Sequence, residues 1–297
     1  MPPVPEDIQR KLKAVLRRIE VAAAFGGIGD DDDFNTATSV ATLSRIAGMS
    51  ERSLRNYFKA YTGQTPVKYV SARRAEYAAR LFRLFPATSK SEAAHAIGFS
   101  WSNGIYGLMH KNGVKDIDAI RNTVPHQTDV LPYRTECLPD CILFYRQEEV
   151  LYQDCAQIEF EEENWDAVRG YVASKFPNAQ PMAYVGFAID RYLANDTASG
   201  IFLSGILYSG ISARDLKTDM LGEIGWRSIF SRNYAVFSYQ GAYEGLDNFY
   251  NQVLSTLRQT VILKVDISTP FMEKYLNSPS DTPEGELITE LWVPLRD

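Results

Sequence analysis

The chain has 297 residues, of which 45% are hydrophobic and 12% aromatic, and it carries a net charge of −6. This apolar content can fill two cores, so it excludes a wholly disordered chain, and the length predicts two or three domains. The apolar runs are far shorter than a membrane span and the N-terminus lacks a secretory signal, which predicts a cytoplasmic protein that meets no membrane.

The charge is divided unevenly along the chain. Residues 1 to 124 carry 18 Lys and Arg against 12 Asp and Glu, a balance of +6, whereas residues 125 to 297 carry 13 against 25, a balance of −12. A basic half beside an acidic half predicts that only the first half meets a polyanion such as DNA. On charge alone, an uneven surface without a function is the alternative.

Helical signals fill the first 121 residues. Apolar side chains recur at helical spacing over residues 6 to 25. Further helices are predicted at residues 40–47, 51–61, 66–85, 91–97 and 101–111. Gly48 and Gly63 mark breaks, Ser50 is a suitable N-cap, and Pro66 is a suitable first residue of the longest helix. The pattern predicts two helix-turn-helix units joined by one long helix.

The helix at 51–61 has an apolar face and a polar face. The apolar face consists of Leu54, Tyr57, Phe58 and Tyr61, which are expected to pack against the core of the domain. The polar stripe opposite consists of Arg52, Arg55, Asn56 and Lys59, and Ser50 and Ser53 stand in the first turn. Arginine can grip guanine through two hydrogen bonds, asparagine can do the same for adenine, and lysine pairs with phosphate. These six polar residues are the predicted DNA contacts, with an ordinary solvated helix face as the alternative.

The second helix-turn-helix unit carries a weaker signal. Gly104 and Gly107 lie within its presumed recognition helix, where each glycine costs about 1 kcal/mol of helix stability relative to alanine. Lys111 is the only certain cation there, and the other candidate contacts are Ser102, Asn103, Tyr106 and His110. A scaffold that has lost most of its DNA contacts is an equally good interpretation of this unit.

Strand-like patterns follow a linker. Past Arg121 the periodicity disappears and two prolines follow, so the predicted organisation is a DNA-binding domain at 1–122, a linker at 123–136 and a second domain at 137–297. Candidate strands lie at 141–145, 184–189, 201–208, 224–230, 234–240 and 287–293, with helices at 165–176 and 245–257. This order predicts an α+β domain of two strand-helix-strand halves, with both helices on one side of an antiparallel sheet.

Residues 40 to 121 resemble the AraC/XylS-type DNA-binding domain, in which two helix-turn-helix units are linked by a long helix. The matching residues are Ala47-Gly48-Met49-Ser50, Leu54, Phe58-Lys59, Thr62-Gly63-Gln64-Thr65-Pro66, Tyr69, Ala94, Ile97-Gly98-Phe99-Ser100 and Gly113. The chain departs from the family at Asn56 and Gly107, where arginine is common, and after Gly113. The resemblance therefore supports base reading by the first unit and leaves base reading by the second unit open.

The chain from about Thr135 to its end resembles the GyrI-like effector-binding domain. The matching strings are residues 230–237 (FSRNYAVF), 241–243 (GAY), 271–277 (FMEKYLN) and 289–295 (TELWVPL). The resemblance implies a pocket in which a buried acid on the last strand and aromatic walls receive a lipophilic cation. Glu290 holds that position in this chain.

Alternation along a strand supports a pocket around Glu290. Ile288, Glu290 and Trp292 share one face, so a carboxylate lies between two apolar neighbours and needs a partner. The candidate walls for a cationic ligand are Tyr184, Phe187, Tyr208, Trp226 and Trp292. The alternative is that Glu290 pairs with an internal arginine or faces water, and that the aromatic residues are ordinary core.

Motifs of cofactor enzymes are missing from the sequence, which contains no GxGxxG, phosphate loop, HExxH or GxSxG pattern. Cys137, Cys141 and Cys155 are an odd number without histidines at ligand spacing, so neither a disulfide framework nor a metal site is expected. No cofactor is expected either.

The function predicted from these patterns is that of a ligand-responsive bacterial transcription regulator at the nucleoid, not an enzyme. Its expected partners are double-stranded DNA, a small hydrophobic or cationic effector and, as a further candidate, RNA polymerase. Two alternatives stay open. One is a GyrI-like small-molecule hydrolase with a pocket acid as general base, and the other is a protein-interaction module tethered to DNA.

Overall fold

A computed structural model describes residues 4–25, 34–99, 103–122, 129–151, 158–190, 199–216, 222–260, 264–266 and 269–296. The chain divides into two units: one takes in Met1–Phe82, Ala87–Ile120 and Asp219–Gly222, and the other takes in Arg83–Pro86, Arg121–Thr218 and Glu223–Asp297. Among the described residues, no helix is long and apolar enough to cross a membrane. The same residues contain no group of three or more His, Cys, Asp or Glu side chains that could hold a metal ion.

Eight helices are described before the sheet. They are α1 (Glu6–Phe25), α2 (Phe34–Ala37), α3 (Val40–Ile46), α4 (Glu51–Thr62), α5 (Pro66–Leu84), α6 (Lys90–Ala96), α7 (Asn103–Lys111) and α8 (Ile117–Arg121). The predicted helices are confirmed with ends that agree within two residues, although residues 101 and 102 lie outside the described part. Helices α2 and α8 were not predicted, because helices of four and five residues are too short to show a period.

Local side-chain chemistry sets the helix ends. Ser50 is the N-cap of α4, as predicted, because its hydroxyl accepts a hydrogen bond from the main-chain N–H of Ser53 at 3.2 Å. Gly63 ends α4 with a φ of +76°, a left-handed conformation that glycine adopts at little cost. Ser89 and Glu92 form a reciprocal capping box at the start of α6.

The core of the first unit lies between α1, α3 and α4. It is built from fully buried side chains, chiefly Leu12, Val15, Ile19, Leu43, Leu54 and Phe58. Two polar contacts fasten α1 to α5: Arg80 donates to the main-chain oxygen of Ala24 at 2.6 Å, and the hydroxyl of Tyr69 donates to Glu20 at 2.6 Å. The guanidinium therefore satisfies one of the carbonyls that the end of α1 leaves without an intrahelical partner.

The second unit is an eight-stranded antiparallel sheet with two long helices. The strands are β1 (Arg134–Leu138), β2 (Cys141–Leu151), β3 (Gln180–Asp190), β4 (Ser199–Ser209), β5 (Ile224–Ile229), β6 (Arg232–Gln240), β7 (Met272–Tyr275) and β8 (Ile288–Pro294), and the helices are α9 (Ile158–Lys175) and α10 (Leu246–Gln259). The order across the sheet is β1-β6-β8-β7-β3-β4-β2-β5. β1 and β7 were not predicted. Both are short, and β1 starts inside the segment predicted as a linker.

Both long helices cover the same face of the sheet, which we call the helix face. Val168 and Val172 of α9 pack with Phe144 of β2, and Phe249 and Val253 of α10 belong to the cluster that includes Leu291 of β8. Because residues directly opposite in antiparallel strands share a face, the strand registers place Phe144 and Leu291 on one side of the sheet. The predicted α+β fold with helices on one side is confirmed. The other side is the reverse face.

Candidate functional site

The polar stripe of α4 is presented outwards by a firmly packed helix. Leu54 and Phe58 are completely buried on the opposite side. Arg52, Arg55, Asn56 and Lys59 are all exposed, and Ser50 and Ser53 stand at the start of the helix with their hydroxyls 2.9 Å apart. All six predicted DNA contacts thus lie on α4 or at its N-cap, and their donors are suited to base edges and phosphates.

Arg55 is held by a neighbour on the same helix. Its guanidinium lies 2.9 Å from the carboxylate of Glu51, with side chains that are 54% and 47% exposed. Such an exposed pair one turn apart contributes little, so Arg55 can leave Glu51 for a nucleic acid at small cost.

Tyr57 does not pack against the core as the sequence predicted. Its side chain is 37% exposed, whereas Tyr61 is half-buried against the core of the first unit. The physical reason is angular. On a helix with about 3.6 residues per turn, position 57 lies roughly 60° from Leu54 and 100° from Phe58, at the edge of the apolar stripe.

The second helix-turn-helix unit exposes fewer donors. Tyr106, His110 and Lys111 of α7 are exposed, and the ammonium of Lys90 lies 4.5 Å from the centre of the Tyr106 ring and contacts its hydroxyl. A cavity of about 530 Å³ lies beside α7. Ser102 and the side chain of Asn103 are outside the described part of the chain, so their contact with DNA stays a prediction.

Glu290 is buried on the reverse face, where other side chains of the chain surround it. Its carboxylate accepts hydrogen bonds from Arg134 at 2.6 Å and from the indole N–H of Trp292 at 2.9 Å. Lys274 stands opposite Glu290 in the strand register, with its ammonium 4.6 Å from the Trp292 ring. Burial lowers the pKa of Arg134. Hydrogen bonds to Glu136 and Glu290 raise it by more than burial lowers it, so the net shift of the pKa is upward. Arg134 therefore pairs with this carboxylate, and Lys274 adds a second positive charge on the same face of the sheet.

The predicted aromatic walls divide between the two faces of the sheet. Phe187 and Trp292 lie on the reverse face with Glu290, because Val185, two residues before Phe187, pairs with Lys274. Tyr184, Tyr208 and Trp226 lie on the helix face, in the cluster around Phe144 and α9. The structure thus does not bring the five predicted walls together around Glu290.

A second buried acid, Glu273 of β7, lies on the helix face. It is 4% exposed. Its carboxylate accepts hydrogen bonds from the hydroxyls of Tyr250 at 2.6 Å and Tyr275 at 2.7 Å. The sequence analysis missed this residue, although alternation places Glu273 and Tyr275 on one face of the FMEKYLN string.

Aromatic rings adjoin this acid. The ring centre of Tyr275 lies 5.3 Å from that of Trp165 and 5.6 Å from that of Tyr243, and Trp165 lies 5.1 Å from Tyr184. We call the group of Glu273, Tyr250, Tyr275, Trp165, Tyr184 and Tyr243 the Glu273 site. It combines a desolvated carboxylate with four linked aromatic rings, which is the chemistry that recognises an apolar cation.

An arginine lies at the far end of this ring cluster. Arg169 donates to the hydroxyl of Tyr184 at 2.8 Å and stacks 5.6 Å from its ring centre, and its side chain is 47% exposed. Next to this pair, burial and the neighbouring Tyr184 raise the pKa of Tyr208. The cluster therefore has a charged, exposed end at Arg169 and a buried, acidic end at Glu273.

Comparisons with known proteins agree with both halves of the chain. A family model described as a helix-turn-helix domain matches residues 43–108, and one described as a GyrI-like small molecule binding domain matches residues 200–296. None of the curated proteins compared with the chain matches it.

Several solved structures match the chain at low sequence identity. An EcmrR–DNA complex is 12% identical, covers 87% of this chain and 99% of its own, and has a TM-score of 0.42. A protein bound to tetraphenylphosphonium is 20% identical over 56% of this chain and 94% of its own, with a TM-score of 0.38. A hydrolase from Listeria innocua is 10% identical over 57% and 94%, with a TM-score of 0.37.

Proposed function

We propose that this chain, which joins a helix-turn-helix domain to a GyrI-like small molecule binding domain, is a bacterial transcription regulator that senses a small hydrophobic cation. It reads double-stranded DNA through α4 and holds its effector at the Glu273 site. The observation that carries the effector half is a 4% exposed carboxylate bonded to two phenols and adjoining aromatic rings.

The buried carboxylate of Glu273 explains why a cation is the favoured ligand. An ionised acid away from water is costly unless donors or an opposite charge compensate it. The hydroxyls of Tyr250 and Tyr275 compensate it by hydrogen bonds. A cation with an apolar body supplies a full opposite charge and also covers the ring faces, so its binding can replace a phenol at a net gain.

Glu273 is a better candidate than Glu290 because of what surrounds each acid. Arg134 and Lys274 already place two positive charges beside Glu290 and Trp292, and a cationic ligand would be repelled there. Binding of the effector at Glu290 is the alternative, and variants of the two acids separate these possibilities.

The DNA-binding half of the proposal rests on the exposed stripe of α4. Arg52 and Asn56 offer bidentate donors to bases, and Lys59 offers a charge to phosphate. The proposed domains are a DNA-binding domain at residues 1–122 and an effector domain at residues 137–297, joined by a linker at residues 123–136. A regulator of this type would act at the nucleoid, together with RNA polymerase.

Calorimetric titration of the full-length protein tests the effector site. Tetraphenylphosphonium and tetraphenylborate have the same shape and opposite charge, so they isolate the contribution of the charge. We expect the cation to bind the wild type and Glu290→Gln alike, and to bind Glu273→Gln at least tenfold more weakly, about 1.4 kcal/mol. A selective loss in Glu290→Gln would move the site to the reverse face. Equal binding of the two ions would contradict a cation site.

A hydrolase is the second candidate function, favoured by the short contacts of Glu273 with two phenols that could move protons. We propose binding without chemistry. The protein should then release p-nitrophenol from p-nitrophenyl acetate no faster than Glu273→Gln does. Turnover that disappears in Glu273→Gln would favour the enzyme instead.

A further inference from the structure

Helix α10 contacts the Glu273 site near one end and three separate chain segments near the other. The hydroxyl of Tyr250, in its second turn, donates to Glu273 at 2.6 Å. Arg258, in its last turn, donates through Nη2 to the main-chain oxygens of Arg83 at 3.1 Å and Arg121 at 3.3 Å. A helix rises 1.5 Å per residue, so Tyr250 and Arg258 are about 12 Å apart along α10.

The segments that Arg258 contacts are the ends of two other helices. Arg83 is the last residue but one of α5, and Arg121 is the last residue of α8. Both belong to the same unit as α10. The earlier residues of α5 and α8 belong to the helix-turn-helix unit, so each of these helices runs from one unit into the other along the chain.

The end of α10 holds a third segment as well. The main-chain N–H of Leu131, just before β1, donates to the hydroxyl of Thr256 at 2.9 Å, and Thr256 is fully buried. Leu84, Phe85 and Leu131 pack on the core between α10 and the sheet. The end of α5 and the stretch that begins at Arg121 and includes Leu131 therefore both meet the last turns of α10.

The charge of Arg258 is partly buried against these helix ends. Burial lowers the pKa of Arg258, and the nearby charge of Arg83 lowers it further, so this cation is poorly solvated. The carbonyl oxygens that receive it lie at the negative ends of the dipoles of α5 and α8, where a cation is favoured. A displacement of α10 would therefore change the contacts of both helix ends together.

The two phenols on Glu273 differ in their freedom to move. Tyr275 is buried, and its hydroxyl oxygen lies so close to Gly186 that a Cβ added there would be only 2.5 Å away. Tyr250 is half-buried and belongs to α10. An incoming ligand that competes for the carboxylate would therefore displace Tyr250 and leave Tyr275 in place.

We infer that α10 transmits occupancy of the Glu273 site to the DNA-binding helices. A bound cation takes the place of the Tyr250 hydroxyl at Glu273, α10 shifts, and the hold of Arg258 on the main-chain oxygens of Arg83 and Arg121 changes. This inference rests on the proposed function. It adds that binding and response use different residues, with Glu273 binding the ligand and Arg258 passing on the effect.

The test measures DNA affinity of the full-length protein with and without saturating tetraphenylphosphonium, on a duplex selected from a random library by the wild type. Coupling between two sites of about fivefold or more is the usual range. We expect the wild type to show it. Arg258→Gln should bind the cation within twofold of the wild type, yet its DNA affinity should change less than twofold on adding the cation. Arg258→Lys, which keeps the charge, should restore most of the response.

Two further variants make the result specific. Tyr250→Phe lacks the hydroxyl that the ligand must displace, so it should bind the cation at least as tightly as the wild type and show a weaker DNA response. Arg214→Gln removes an exposed arginine elsewhere in the same unit and should behave as the wild type.

The outcomes separate this inference from the proposed function. A full response in Arg258→Gln or in Tyr250→Phe would overturn the inference while leaving the effector site intact. Cation binding by the wild type without any change in DNA affinity would overturn it too. Failure of the wild type to bind the cation would overturn the proposed function, and the inference with it.

Discussion

The hydroxyl of Tyr275 occupies the space that a side chain at Gly186 would need. A Cβ at Gly186 would lie 2.5 Å from the Tyr275 hydroxyl oxygen, and Gly186 stands directly opposite Glu273 in the strand register. The glycine therefore allows Tyr275 to lie across β3 and to donate to Glu273 at 2.7 Å. The Glu273 site depends on this close approach.

Gly186→Ala should consequently disturb the site and the fold. The ring of Tyr275 must move, which we expect to cost about 1 to 3 kcal/mol of unfolding free energy, the usual range for overpacking, and to weaken tetraphenylphosphonium binding. Gly170→Ala in α9 is the matched control, because a Cβ there meets nothing within 4 Å. It should keep cation affinity and should not lower stability. Urea unfolding and calorimetry measure both, and wild-type behaviour of Gly186→Ala would contradict the packing described.

Arg52→Ala tests the proposed DNA contacts of the polar stripe of α4. Loss of a bidentate base contact should cost about 1 to 3 kcal/mol of binding free energy on a selected duplex, and Arg55→Ala should act similarly. Asn103→Ala in the second unit should cost much less. Lys13→Ala removes an exposed charge from α1 and controls for the change in net charge. Fluorescence anisotropy at a fixed salt concentration measures the DNA affinity of each variant. Equal losses of affinity in Arg52→Ala and Asn103→Ala would mean that both units read bases.

Gly98→Ala should destabilise the helix-turn-helix unit. Gly98 has a φ of +79°, and a Cβ there would lie 2.9 Å from the side-chain nitrogen of Asn35, which donates to the Gly98 oxygen at 2.6 Å. Backbone strain and this contact together should lower the unfolding free energy by about 1 to 3 kcal/mol. Gly107→Ala has open space and an ordinary helical position, so it should stabilise α7. A higher melting temperature for Gly98→Ala than for the wild type would refute this.

The two described cysteines should differ in reactivity. Cys137 is exposed, whereas burial and the charge of Asp140 raise the pKa of Cys141 to about 11. Only thiolate reacts readily, so at pH 8 a maleimide or disulfide reagent should modify Cys137 and spare Cys141 in the folded protein. The measurement uses a Cys155→Ser background and mass spectrometry of the peptides. Equal modification of both thiols before unfolding would contradict the burial of Cys141.

Periodicity was sufficient to predict α4 and its exposed polar stripe but not the surroundings of the two buried acids. The spacing of Leu54 and Phe58 identified the buried side of α4, and with it the exposed stripe, because one helix contains both. The site on the sheet depends on which strands become neighbours. Alternation indicated that Glu290 and Trp292 share a face, but it could not indicate that Arg134, 156 residues away, would reach that face.

Glu273 was missed for a related reason. β7 has only four residues, too few for a strand pattern, and its partners Tyr250, Trp165 and Tyr184 come from α10, α9 and β3. The contacts between the phenols and the carboxylate can be predicted only when the strand register and the positions of both helices are known. The three predicted walls on the helix face, Tyr184, Tyr208 and Trp226, all belong to the cluster around Phe144, and of these Tyr184 also contacts the Trp165 ring of the Glu273 site.

The proposed regulator is tested most directly by the DNA affinity of the full-length protein in the presence of tetraphenylphosphonium or tetraphenylborate, measured for the wild type and for Glu273→Gln. We predict that the cation changes the Kd of the wild type by about fivefold or more, that tetraphenylborate does not, and that Glu273→Gln binds DNA normally and responds to neither ion. An equal response to both ions, or a full response of Glu273→Gln to the cation, would contradict it.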